Sequence, residues 1–134
     1  MIKQLNRDDV INILDFNHDI FNVINCSIGE WVQVLIGIVD KEQFLILGSY
    51  ENNNIVGYII LRNNICPPLS NNVRIVFAYL ENVSPLDMEE IIRVMTNWTK
   101  SLGANSIISL CKKSDRYHKY GFEETGMIGM ELRI

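Results

Sequence analysis

The sequence predicts a mixed α+β domain built round a central sheet, and three observations predict it. Short apolar or alternating runs mark strands at 2–5, 44–50, 55–61, 73–83 and 107–110. Apolar residues at helical spacing mark helices before, between and after them. The 134 residues are one domain's worth, with no internal repeat, linker or low-complexity tail.

Taken in order, residues 2–5 alternate as a half-buried strand does. Asn6 or Asp8 offers an N-cap, and Val10, Ile13, Leu14, Asn17 and Phe21 come after it at helical spacing. Trp31, Val34, Leu35, Ile38 and Val39 form a second helical stripe ending near Asp40, although its β-branched residues suit a helix less well. The runs 44–50 and 55–61 flank Asn52-Asn53-Asn54 and read as a β-hairpin. Pro67-Pro68 makes 63–72 a loop. Residues 73–83 read as a strand covered on both sides, with Ile75, Phe77 and Tyr79 on one face and Val76, Ala78 and Leu80 on the other.

The clearest helix opens at Ser84-Pro85-Leu86-Asp87. Ile91, Val94, Met95, Trp98 and Leu102 form its stripe and Gly103 stops it. A buried strand at 107–110, a short helix within 112–120 and a closing strand over 122–134 complete the order β-α-α-β-β-β-α-β-α-β.

The bulk numbers exclude several classes. Hydrophobic residues at 48% and charged residues at 21% are ordinary for a globular chain that buries a core without staples. A net charge of −4 argues against a general nucleic-acid binder. Three cysteines, none at C-x-x-C spacing, predict reduced thiols rather than a disulfide framework or zinc site, and no metal is expected. With no apolar run long enough for a membrane span and no signal-like N-terminus, the expectation is a cytoplasmic protein without a membrane partner.

One segment carries a family resemblance. Tyr117-His118-Lys119-Tyr120-Gly121-Phe122-Glu123-Glu124-Thr125-Gly126 resembles the Y-x-K-x-G-F-x-x-x-G signature of the GNAT acetyltransferase superfamily. Asn54-Ile55-Val56-Gly57-Tyr58 is similar to the family's hairpin. Trp98 to Ala104, with the strand after it, is similar to the end of its central helix. The three pieces fall in the family's order, and with the order of elements the resemblance covers essentially the whole chain.

The resemblance implies a three-layer fold, a central, mostly antiparallel twisted sheet flanked by helices. It implies acetyl-CoA as co-substrate and an N-acetyltransferase reaction, in which an acceptor amine attacks the thioester carbonyl. It places Phe77, Ala78, Tyr79 and Leu80 on the strand beside the acyl arm. It gives Tyr117 the role of general acid toward the leaving thiolate, a role suited to a phenol with an ordinary pKa of about 10. Glu81 and Glu51 are the carboxylates nearest the expected cleft, and Glu81 is the candidate base. The acceptor, a small molecule or a protein amine, is not named by any feature. The apolar stretch 29–39 would border the acceptor side as core, as a pocket wall or as a homodimer surface.

The chain departs from the family at one place. The family grips the CoA pyrophosphate with Arg/Gln-x-x-Gly-x-Gly/Ala at the start of the central helix. There glycines let the backbone approach, and unsatisfied N–H groups point at the anion. Here Val83-Ser84-Pro85-Leu86-Asp87-Met88-Glu89-Glu90 stands in that place, and no glycine occurs between Gly57 and Gly103. Ser84 with Asp87 has capping-box spacing and Pro85 suits the first helical position. Asp87, Glu89 and Glu90 are expected to put acidic charge on the first turn. The cluster Lys112, Lys113, Arg116, His118 and Lys119 is then the candidate phosphate site. Leu110 stands where many relatives carry Asn or Ser. The alternative is a non-catalytic domain of the same fold that binds or regulates without CoA.

Overall fold

The computed structural model describes residues 1–15, 26–110, 118–125 and 132–133. The strands are β1 (Ile2–Gln4), β2 (Phe44–Glu51), β3 (Asn54–Asn63), β4 (Asn72–Tyr79) and β5 (Ser106–Ser109). The α-helices are α1 (Arg7–Val10), continued by a 3-10 helix over Ile11–Asp15, α2 (Ile28–Ile38) and α3 (Pro85–Ser101). Among the described residues the five strands form one sheet in the order β1-β2-β3-β4-β5. Every pairing is antiparallel except β4 with β5, which is parallel. That one parallel pair is made possible by α3, which carries the chain back along the sheet as parallel crossovers require.

Helices cover both faces. On one, Val10, Ile13, Val32 and Leu35 from the first helices bury Ile46, Tyr58 and Ile60 of the sheet. On the other, Met88, Ile91 and Met95 of α3 bury Leu45, Leu47, Ile59, Leu61 and Val73. Strand residues of β2 and β3 thus alternate between two apolar cores, and this is why those strands read as continuous apolar runs. The helices start where the side chains dictate. Asn6 caps α1 in a reciprocal box with Asp9, and Ser27 caps α2 by accepting from the Glu30 N–H. Gly103 adopts a positive φ of 78° and ends α3 as a left-handed cap. Asn52 and Asn53, both at positive φ, turn the β2–β3 hairpin.

Two bulges interrupt the ladders, and the second changes the facing of β4. Leu61 pairs with Ile75 and Ile60 with Phe77, so Val76 is an extra residue in β4. Val73 and Ile75 face the α3 core, whereas Phe77 and Tyr79 face the α2 core, and Ala78 and Leu80 return to the α3 side. Strict alternation places Ile75 with Phe77 and Tyr79; the bulge moves everything after it to the opposite face. The strand also ends at Tyr79 rather than Val83, because a turn with Val83 N–H donating to the Leu80 carbonyl intervenes. Residues 122–125, expected to begin a closing strand, lack regular structure. Gly121, at φ 87°, turns the chain there, and Phe122 packs on the α3 core. The remainder of that strand, the expected helix before His118 and the helical residues Asn17 and Phe21 lie outside the described residues.

Candidate functional site

The hairpin turn, the end of β4 and the start of α3 lie at one end of the sheet. The strand pairing requires this, since Glu51 opposes Asn54 and Tyr79 opposes Tyr58. β4 and β5 remain paired only as far as Ile75 with Ser109. β4 then runs on through Phe77 and Ala78 to Tyr79, still paired with β3, while β5 stops. The last β4–β5 pair among the described residues therefore comes just before the segment expected to flank an acyl arm. Val76, at the bulge, is half exposed there.

Of the residues singled out in the sequence, the structure gathers Phe77, Ala78, Tyr79, Leu80, Glu81 and Glu51 at this end. Glu81 is exposed in the turn between β4 and α3, and Glu51 is exposed at the hairpin. Tyr117, Lys112, Lys113 and Arg116 lie outside the described residues. His118 and Lys119 are exposed, and the Lys119 ammonium lies 5.8 Å from the centroid of the Tyr120 ring. Among the described residues no group of His, Cys, Asp or Glu is placed to hold a metal ion. No described helix is long and apolar enough to cross a membrane.

The start of α3 is already engaged. Pro85 has no N–H, the Asp87 N–H donates to Ser84 Oγ at 3.2 Å, and the Met88 N–H donates to the Ser84 carbonyl at 2.9 Å. The Asp87 carboxylate does not close the expected box. It accepts from the buried Ser49 hydroxyl at 2.6 Å and from the Met1 ammonium at 2.9 Å. The reason is electrostatic: a cation and a buried hydroxyl satisfy a carboxylate better than one backbone N–H. Asp87 is also the one acidic residue of the first turn, contrary to expectation; Glu89 and Glu90 lie a turn further on, and Glu90 pairs with Arg93. A carboxylate at this helix start repels a second anion, so the first turn of α3 does not fit a pyrophosphate.

The hydrogen bond from Ser49, and next the bond from the ammonium, hold the Asp87 carboxyl below the usual carboxylate range. A carboxyl whose folded pKa is depressed stabilises the fold above its unfolded pKa, and that stability is lost as pH falls through the folded value. Replacing Asp87 with Asn keeps an acceptor but removes the charge. At neutral pH the expected cost is about 1–3 kcal/mol. In urea melts against pH, the gap between Asp87→Asn and the parent should narrow below about pH 4. A gap that stays constant down to about pH 2 would show that the charge is irrelevant.

Two features went unseen in the sequence. Trp31 of α2 donates through Nε1 to the Tyr58 hydroxyl at 2.7 Å, and the Phe77 ring lies 5.0 Å from Trp31 and 5.2 Å from Tyr58. The bulge places Phe77 in this aromatic group, and nothing in the local pattern of β4 announces a bulge. The second feature is the close approach at Gly57. A Cβ there would sit 2.5 Å from Val83 Cγ2 and 2.6 Å from the Tyr79 carbonyl oxygen. The glycine that the hairpin resemblance singled out thus lets the end of β4 and the turn after it lie directly against β3.

No protein-family model matches the sequence, and no curated protein matches it. Solved structures do match over essentially the whole chain, and they are acetyltransferases. A predicted acetyltransferase from Clostridium acetobutylicum, solved with acetyl-CoA, is 18% identical with a TM-score of 0.71, covering 99% of this chain and 95% of that one. The ribosomal-protein-alanine N-acetyltransferase from Brucella melitensis biovar Abortus 2308 is 10% identical with a TM-score of 0.75, covering 100% and 98%. AAC(6')-Iy, in complex with the bisubstrate analogue CoA-S-monomethyl-acetylneamine, is 10% identical with a TM-score of 0.75, covering 100% and 97%. The chain has the GNAT acetyltransferase fold, with a mixed sheet of five strands among the described residues and helices on both faces.

Proposed function

We propose that the chain is an acyl-CoA-dependent N-acyltransferase that holds the phosphates of its co-substrate away from the start of α3. The observation that carries this reading is the end of β4 in a sheet of the GNAT fold, where Phe77, Ala78, Tyr79 and Leu80 lie at the same end of the sheet as Glu81. Acetyl-CoA and the CoA-linked analogue bound by the similar structures support it. In this reading the acceptor amine bonds to the acyl carbonyl carbon as the carbon–sulfur bond breaks. Tyr117 gives its phenolic proton to the leaving thiolate, Glu81 takes the proton released by the amine, and Lys112, Lys113 and Arg116 meet the phosphates. The acceptor is a small molecule or a protein amine, and the protein works in the cytoplasm, as a monomer or a homodimer.

A specific observation favours a second reading. The amides of Asp87 and Met88 are spent within the helix and the Asp87 carboxylate stands beside them. A domain that had given up CoA to serve as a binding or regulatory module would show the same helix start.

Thermal melting with acetyl-CoA separates the two. Saturation at a hundredfold excess over Kd stabilises a protein by about 2.7 kcal/mol. For a chain of this length that is roughly 10 °C in Tm. The enzyme reading expects this shift, its reduction on charge reversal at Lys112 and Lys113, and a fall in turnover of about a hundredfold or more in Tyr117→Phe. A Tm that does not move at millimolar acetyl-CoA sinks the enzyme reading and leaves the second.

A further inference from the structure

The described residues line a cavity of ≈ 320 Å³ that no step of the proposed reaction uses. It lies between the C-terminal half of α3, the start of β5 and the segment 120–123. Because β4 and β5 are parallel and the cavity touches Ser106, the first residue of β5, it sits at the opposite end of that pair from Phe77–Leu80. α3 has 17 residues, so its two ends are about 25 Å apart. The cavity lies away from Phe77–Leu80, beside the C-terminal half of α3.

Its lining is of two kinds. Ile92, Met95, Ile107 and Phe122 supply an apolar interior, all buried or half buried. Lys100 and Glu123 also line it, and both are exposed. These two charges are opposite in sign, yet they do not pair with one another, and neither forms an ion pair with any other described residue. A volume of this size is at the small end of those that hold organic ligands. An ammonium and a carboxylate that line one cavity without pairing match a ligand bearing the complementary pair on a compact core.

We propose that this cavity binds a free α-amino acid with an apolar side chain. The three substituents of one carbon atom meet three features. Lys100 receives the ligand carboxylate and Glu123 its ammonium. The side chain enters among Ile92, Met95, Ile107 and Phe122. Both charged partners stay solvated at the rim until the ligand arrives, so binding does not require breaking an existing ion pair.

Ligand-observed saturation-transfer NMR on the whole chain tests this with L-leucine, L-methionine and L-phenylalanine. Leucinamide, lacking the carboxylate, and N-acetyl-leucine, lacking the ammonium, are the controls. The expected result is binding of the free amino acids, weakened about tenfold or more in each control. Lys100→Gln should lower the affinity for leucine and leave leucinamide unchanged. Glu123→Gln should lower the affinity for leucine and leave N-acetyl-leucine unchanged. Both positions are exposed, so neither variant is expected to unfold, and Tm verifies this. Absence of transfer from every free amino acid at about 10 mM overturns the proposal. So do equal affinities for leucine and both controls, or leucine binding that neither variant alters.

Discussion

Tyr58→Ala is expected to destabilise the protein by about 3–5 kcal/mol, the range for emptying an aromatic site in a core. Tyr58 is wholly buried near the middle of the sheet, and its ring lies against Phe77. Tyr58→Phe separates packing from polarity. It keeps the ring and removes the acceptor for the half-buried Trp31 Nε1–H, so about 1–3 kcal/mol should be lost. The hydroxyl adds a pH signature. Burial pushes the Tyr58 phenol well above its ordinary value, and donation from Trp31 only partly offsets this. The folded state therefore keeps a proton that the unfolded chain releases above about pH 10. Stability from this group is complete below that pH and declines as pH rises past it, and Tyr58→Phe should lack that decline. Urea melts from neutral to alkaline pH provide the check. Equal stability of Tyr58→Phe and the parent at neutral pH, within about 0.5 kcal/mol, would mean that the Trp31 hydrogen bond contributes no net stability.

Gly57→Ala should be nearly as damaging, through the opposite fault. One added carbon would stand 2.5 Å from a Val83 methyl and 2.6 Å from the Tyr79 carbonyl oxygen. Valine is stiff at χ1 and a backbone carbonyl cannot swing aside, so the strands themselves must separate. Overpacking of this kind costs about 1–3 kcal/mol, and the backbone partner argues for the upper part of that range. Tm should fall by roughly 10 °C for a chain of this length. The strain falls on the junction of β4 and the turn to α3, so any acetyl-CoA shift of the parent should shrink as well. An unchanged Tm in Gly57→Ala would show that β3 and the Tyr79–Leu80 backbone are not in close approach.

The fold is largely legible in the chain because both periodicities are clean. Ile91, Met95 and Trp98 announce α3, and Pro67-Pro68 and the Asn52–Asn53 turn punctuate the strands. Both faces of β2 and β3 are apolar because each meets a helical layer. Illegible is whatever depends on partners distant in the chain. Asp87 looks like half of a local capping box, and only the fold brings Ser49 to it across 38 residues. Val76 looks like an ordinary strand residue, since a bulge leaves no mark in a run of apolar side chains. The candidate site is legible to the same degree. The Phe77–Leu80 strand end and Glu81 lie together at one end of the sheet, whereas the roles of Tyr117 and the basic cluster rest on resemblance. The cavity near Lys100 has no local signature at all, because its walls come from three separate stretches of chain.

The single extra residue at Val76 makes β4 a strand of two halves whose odd and even positions face opposite ways. Length is consequently not interchangeable along the chain. The loop at 64–71 lies outside the long ladders, and its main tie to the cores is Ile65, packed on the α3 side. Deleting Val76 itself would restore strict alternation and leave Phe77 and Tyr79 facing α2, whereas adding a second residue there would send them toward α3.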